Sequence, residues 1–183
     1  MLQITIEGGE VFDEKTQEFH GFNTTTINLE HSLVSVSKWE SKWKKPFLNR
    51  DVNKTSEELL DYIRCMTITQ NVDPYAYYKI SNKDIHRIRD YIEDSMTATT
   101  FSSLGDVKTT GKKQIITSEL IYYWMIALNI PMECQKWHLN RLLTLIRVCE
   151  IKSTPQKKMS KSEAASMRAK LNAERRAALH SKG

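Results

Sequence analysis

The sequence is poor in the residues that punctuate or cross-link a chain. Six Gly and four Pro in 183 residues exclude collagen-like and Gly/Pro-rich low-complexity classes. The three cysteines, Cys65, Cys134 and Cys149, are too few and too scattered for a disulfide framework or a zinc ribbon. A reducing, intracellular setting is their simplest home. No apolar run reaches the roughly 20 residues of a spanning helix; the longest, Leu120 to Met132, is interrupted by Asn129 and Pro131. The opening MLQITIEGGE lacks a basic n-region and an apolar h-region, so no signal peptide is expected. Phosphate-loop (GxxxxGKS/T), GxGxxG and GxSxG spacings are missing, and no internal repeat is visible.

Hydrophobic residues make up 40% of the chain and charged residues 27%, which excludes a wholly disordered protein. A chain of this length buries about 70% of its unfolded surface and predicts one domain, or one domain plus an appendage. Charge is unevenly spread. From Lys152 onward there are nine Lys/Arg against Glu163 and Glu174, a net of +7; the first 151 residues carry 18 basic and 20 acidic groups, a net of −2. Basicity belongs to the C-terminal tail.

The periodicity predicts a mainly helical α+β chain. ITIE alternates Ile4 and Ile6; GEVFD and QEFHGF flank a polar DEKT turn as a hairpin; TTTINLE reads as a third strand. Such a hairpin or three-strand element needs helices to pack on. Leu33, Val36, Trp39 and Trp43 then fall on one helical face, which Pro46 terminates. Thr55 and Glu58 form a capping box for a helix with Leu59, Tyr62, Ile63 and Met66 on its apolar face. Asp73-Pro74 marks a further start, and Ile85, Ile88 and Ile92 share a face beyond it. Ala98 to Lys113 reads as a loop. ELIYYWMIALN, and ECQKWHLNRLLTLIRVC after Pro131, read as two helices joined by a sharp bend. The expected organisation is a β element over 1–31, a compact helical core domain over 32–151, and a basic region over 152–183. That region comprises a STPQKKM linker and a detached helix capped by Ser160 and Glu163. With only Ala164, Met167, Leu171 and Ala178 as an apolar stripe, the helix is expected to be mobile or to order on a partner.

Candidate chemistry is sparse. Gly8-Gly9 fits a turn or bulge better than a phosphate cradle. Cys134 and His138, at i and i+4, would share a helical face but lack two further ligands for zinc. No metal or cofactor is expected. Glu57-Glu58 suits a helix N-terminus, whereas Glu93-Asp94 at a C-terminus, where the dipole does not favour it, reads as a solvated face, with a partner surface as the alternative. Tyr122, Tyr123 and Trp124 could stack on bases, but their apolar surroundings favour a core. Truncating Trp124 or Trp137 should therefore cost more stability than truncating Trp39. Trp39 and Trp43 read first as core, and stay open as contacts because Lys38, Lys42, Lys44 and Lys45 surround them. If all nine tail cations met phosphates, log K would fall with log[salt] at a slope of about −8; the tail has no aromatics for reading bases.

Three segments carry a resemblance. LEHSLVSVSKWESKWKKPF (Leu29 to Phe47), ELLDYIRCMT (Glu58 to Thr67) and IITSELIYYWMIALNIPMECQKWHLNRLLTLIRVC (Ile115 to Cys149) resemble the tail assembly chaperones of long-tailed, siphovirus-type bacteriophages. KKMSK (Lys157 to Lys161) and the closing NAERRAALHSKG fit the same pattern. The resemblance implies a non-enzymatic chaperone in the host cytoplasm that binds the tape measure protein and keeps it soluble until the tail tube forms. It also implies self-association, and a longer frameshifted form that reaches the major tail protein, this chain being the short form. The family has no residue-level binding motif, so the candidate partner contacts come from the residues themselves: Trp39 and Trp43 on the first helix, and Arg168, Lys170, Arg175 and Arg176 on the tail. The competing expectations are a virion structural protein, such as a head-tail connector or tail-completion protein, and a small nucleic-acid-binding protein acting through its basic tail.

Overall fold

The computed structural model describes residues 1–14, 16–49, 51–101, 115–153 and 161–179. The chain divides into two compact units, Met1–Glu150 and Ile151–Gly183.

The first unit opens with four strands: β1 (Leu2–Ile6), β2 (Gly9–Asp13), β3 (Glu18–Phe22) and β4 (Thr25–Leu29). They are nested. β2 and β3 form the hairpin, and β1 pairs with β4 outside it, all antiparallel. One register runs through both pairs, since Ile6 faces Thr25 and Gly9 faces Phe22 with two residues on each strand between. The element is thus a long two-stranded ribbon with a break, one strand more than a three-strand element. At the break the Gly8 N–H donates to Thr24 Oγ1 at 2.9 Å. A Cβ on Gly8 would stand 2.7 Å from Thr24 N and 2.9 Å from Phe22 O. Strand alternation places Ile4, Ile6, Ile27 and Leu29 on one buried face.

Five helices build the rest of this unit: α1 (Leu33–Trp43), α2 (Ser56–Met66), α3 (Asn82–Glu93), α4 (Ser118–Ala127) and α5 (Leu139–Ser153). Their ends follow local chemistry. Ser32 and Ser35 form a capping box for α1, which closes on Lys44 in the left-handed region, two residues before Pro46. Thr55 and Glu58 form the capping box of α2. Asp73-Pro74 opens only a single 3-10 turn, Ala76–Lys79, and Ser81 caps α3 separately. Thr117 caps α4, while the Ser118 N–H donates to the buried carboxylate of Glu40 on α1 at 2.7 Å. That bond ties the start of one helix to the side of another.

The segment after Pro131 departs from the single helix expected. It splits into a 3-10 turn, Met132–Lys136, and α5. Trp137 between them is extended, His138 bridges Ser32, and the Leu139 N–H donates to His31 O at 2.7 Å. A tertiary backbone pairing overrides local propensity here. Cys134 and His138 consequently share no helical face. All three cysteines are free thiols.

The strands and helices share one core. Leu33, Val36, Trp39, Tyr62, Met66, Ile121, Met125, Leu139 and Leu142 pack with the ribbon's isoleucines. α5 continues through Lys152 to Ser153. The second unit contributes α6 (Lys161–Ala178). The linker from residue 154, the Ser160 cap and the loop expected over Ala98 to Lys113, from residue 102 on, lie outside the described residues. Among the described residues no helix is long and apolar enough to cross a membrane.

Candidate docking groove

The first helix uses its tryptophans inward. Trp39 is fully buried, its indole N–H donates to Glu58 O at 2.7 Å, and its ring meets Phe47 edge-on at 5.1 Å. It is a core residue and offers no surface to a partner, because α2 and the loop after α1 cover it. Trp43 is half-buried; its N–H donates to Asp61 Oδ2 at 2.8 Å. The basic side of this helix is also partly spent. Lys42 pairs with Asp61 and Lys45 with Glu58, and both acids are buried. The hydrogen bond from Lys45, followed by that from the Thr55 N–H, holds the Glu58 carboxyl below the usual range. The expected order of tryptophan burial is overturned. Trp137 is 36% exposed under the Arg141 guanidinium, 4.3 Å from its ring centroid, and Trp124 lies at the edge of the core.

Between α1 and α2 the chain turns back on itself. The Phe47 N–H donates to Glu40 Oε1 at 2.8 Å, which pins the loop. The Phe47 ring then stacks on Tyr62, with centroids 3.8 Å apart. Beside this stack opens a cavity of about 930 Å³. One wall is α2, through Leu59 and Ile63; the other is α3, through Ile85, Ile88 and Ile92. Phe47 and Leu48 complete the apolar lining, and Lys54, Arg89, Glu93 and Asn140 supply polar groups. Leu59 is 49% exposed and Ile85 41%. Each sits in the first turns of its helix, where the apolar stripe runs past the core and out to solvent.

Buried polar groups underlie this groove. His31 Nδ1 and the Tyr62 hydroxyl share a hydrogen bond of 2.5 Å. Burial, and then the facing His138 ring 5.1 Å away, lower the His31 pKa to about 3. Burial likewise raises the Tyr62 pKa. His138 Nε2 lies 2.9 Å from Tyr91 O, and the Tyr91 hydroxyl donates to Glu30 at 2.6 Å. Burial and that acceptor raise the Tyr91 pKa. Asn140 donates to the carbonyls of Ile92 and Asp94. These bonds hold the α3 wall on the first turn of α5. The His31–Tyr62 pair nearest the groove is closed on itself and uncharged at neutral pH, whereas His138 Nδ1 beneath it is buried without a hydrogen-bond partner among the described residues.

The remaining sequence candidates lie elsewhere. Arg168, Lys170, Arg175 and Arg176 are exposed on α6, in the second unit. At 3.6 residues per turn, Arg168, Arg175 and Arg176 fall toward one side and Lys170 on the other, so the four form no single face. Tyr122 donates to Gln135 Oε1 at 2.9 Å, while Tyr123 is 63% exposed. Glu93 and Asp94 are exposed. Among the described residues no three His, Cys, Asp or Glu side chains are grouped to hold a metal ion. In the sequence, Leu59, Tyr62 and Ile63, and Ile85, Ile88 and Ile92, fall on apolar helix faces, and none of them is singled out as a site. Their only signal is the apolar periodicity of α2 and α3, which continues into the first turns of both helices. Compared with known proteins, the chain matches no protein family, no curated sequence and no solved structure.

Proposed function

We propose that this protein is a non-enzymatic tail assembly chaperone of the long-tailed phage type, which binds the tape measure protein and keeps it soluble during tail morphogenesis. The observation that carries the reading is the groove between α2 and α3. Its walls are aliphatic, and its rim residues Leu59 and Ile85 are exposed at 49% and 41%. Grooves of this kind receive the apolar face of an amphipathic helix, anchored at i, i+3, i+4 and i+7. A long, mostly helical client that has not yet been enclosed by its tube presents many such faces. The resemblance of Leu29 to Phe47, Glu58 to Thr67 and Ile115 to Cys149 to this family supports the same reading. In this proposal the exposed cations of α6 add a screened, long-range attraction to acidic stretches of the client.

Co-expression with the tape measure protein of the same genome tests it. The expected result is a soluble client that co-purifies with this chain, and a client that aggregates when Leu59→Asp or Ile85→Asp is used instead. A client that stays insoluble with the unaltered chain would sink the proposal. Stoichiometric recovery of the chain in purified particles would favour a permanent virion component, since a chaperone leaves.

A further inference from the structure

The polar lining of the groove is uneven, and this bears on what the groove accepts. Two lysines close by are matched from within: Lys42 by Asp61 and Lys45 by Glu58. Lys54 is not matched. It is half-buried, its ammonium lies 5.1 Å from the Phe47 ring centroid, and its one long contact is 3.5 Å to Asn49 O. It makes no ion pair among the described residues. Burial lowers its pKa against the opposing pull of Glu58. Arg89, an exposed residue that also lines the groove, makes no ion pair among the described residues either, although Glu93 lies one turn further along α3.

An ammonium partly removed from water with no ion pair has only the pull of Glu58, the Phe47 ring and one long hydrogen bond to set against its lost solvation. A carboxylate delivered by a partner would restore that loss by a charge-assisted hydrogen bond at the edge of an apolar contact. We infer that the groove selects an amphipathic α-helix of another polypeptide that carries a carboxylate beside its apolar face, received by Lys54 and Arg89. The inference rests on the groove being the client site proposed above, and it specifies the client's chemistry. Glu93 makes the preference local. A second acid one turn further along would meet that carboxylate and be repelled, so overall negative charge is not what the groove reads.

Two synthetic helices of about 20 residues, with the same leucine face and either Glu or Lys at its border, test the inference by fluorescence anisotropy with the full chain. The Glu peptide should bind about tenfold more tightly at low ionic strength, with the advantage shrinking as salt is added. The double variant Lys54→Glu, Arg89→Glu should reverse the preference, and Leu59→Asp should abolish binding of both peptides. Near-UV circular dichroism checks that these surface changes leave the fold intact. Equal binding of the two peptides overturns the acid preference while leaving the groove as a client site. If neither peptide binds, or if Leu59→Asp leaves binding unchanged, the groove reading itself falls. An oligomer that Leu59→Asp converts to monomer would assign the groove to a second copy and overturn the inference.

Discussion

At the scale of single residues, burial separates side chains that look alike in sequence. Trp39 and Trp137 both lie on periodic apolar positions, yet one is fully buried and hydrogen-bonded while the other is 36% exposed. Trp39→Ala should cost about 3–5 kcal/mol, as deletion of a large core aromatic does. Trp137→Ala should cost less than about 2 kcal/mol, because solvent already replaces part of its contact. Urea titrations that returned equal losses would refute this order. His31 gives a pH test. Its folded pKa, about 3, lies below its unfolded value, so the unfolded chain binds the extra proton. Stability should therefore fall as pH drops from about 6.5 toward 3, by at most about 1.4 kcal/mol per pH unit from this group. His31→Gln should flatten that part of the slope. An unchanged slope would show that the imidazole takes up its proton inside the fold.

At the scale of elements, the readable parts were those decided within one turn. The Thr55–Glu58 box and the end of α1 ahead of Pro46 are local, and local residues announce them. The break between Lys136 and Leu139 is decided by Ser32 and His31, more than a hundred residues away, so nothing nearby foretells it. The groove was illegible for a related reason. Leu59 obeys the same period as Tyr62, and Ile85 the same as Ile88; only the spacing of α2 from α3 decides which of them is covered. The ribbon shows the opposite case, where one position carries the geometry. Gly8→Ala should destabilise the fold by about 1–3 kcal/mol, since the new methyl group would stand 2.7 Å from a backbone nitrogen. A thermal unfolding midpoint unchanged by this substitution would mean that the ribbon relaxes at its break.

At the scale of the whole molecule, the division at Glu150 and Ile151 falls near the end of α5 and separates a body of net charge −2 from a basic C-terminal segment of net charge +7. A chain ending at Ile151 should still unfold in one cooperative transition, since the strands and α1 to α5 share one core. A broad, non-cooperative melt of the shortened chain would show that residues beyond Ile151 contribute to that core. The two proposed contact surfaces then differ in their response to salt. Contact through exposed α6 cations should weaken steeply, whereas apolar burial in the groove should persist.

The pairing of His31 and Ser32 with the start of α5 also sets a timetable. On a ribosome adding about 5–20 residues each second, Leu139 follows His31 by roughly 5–20 seconds. Until it emerges, the backbone seam it closes stays open, and the core lacks the buried Leu139 and Leu142. The nascent chain therefore spends most of its synthesis with aliphatic surface and a titratable histidine facing water, and it completes its core late and from the C-terminal side.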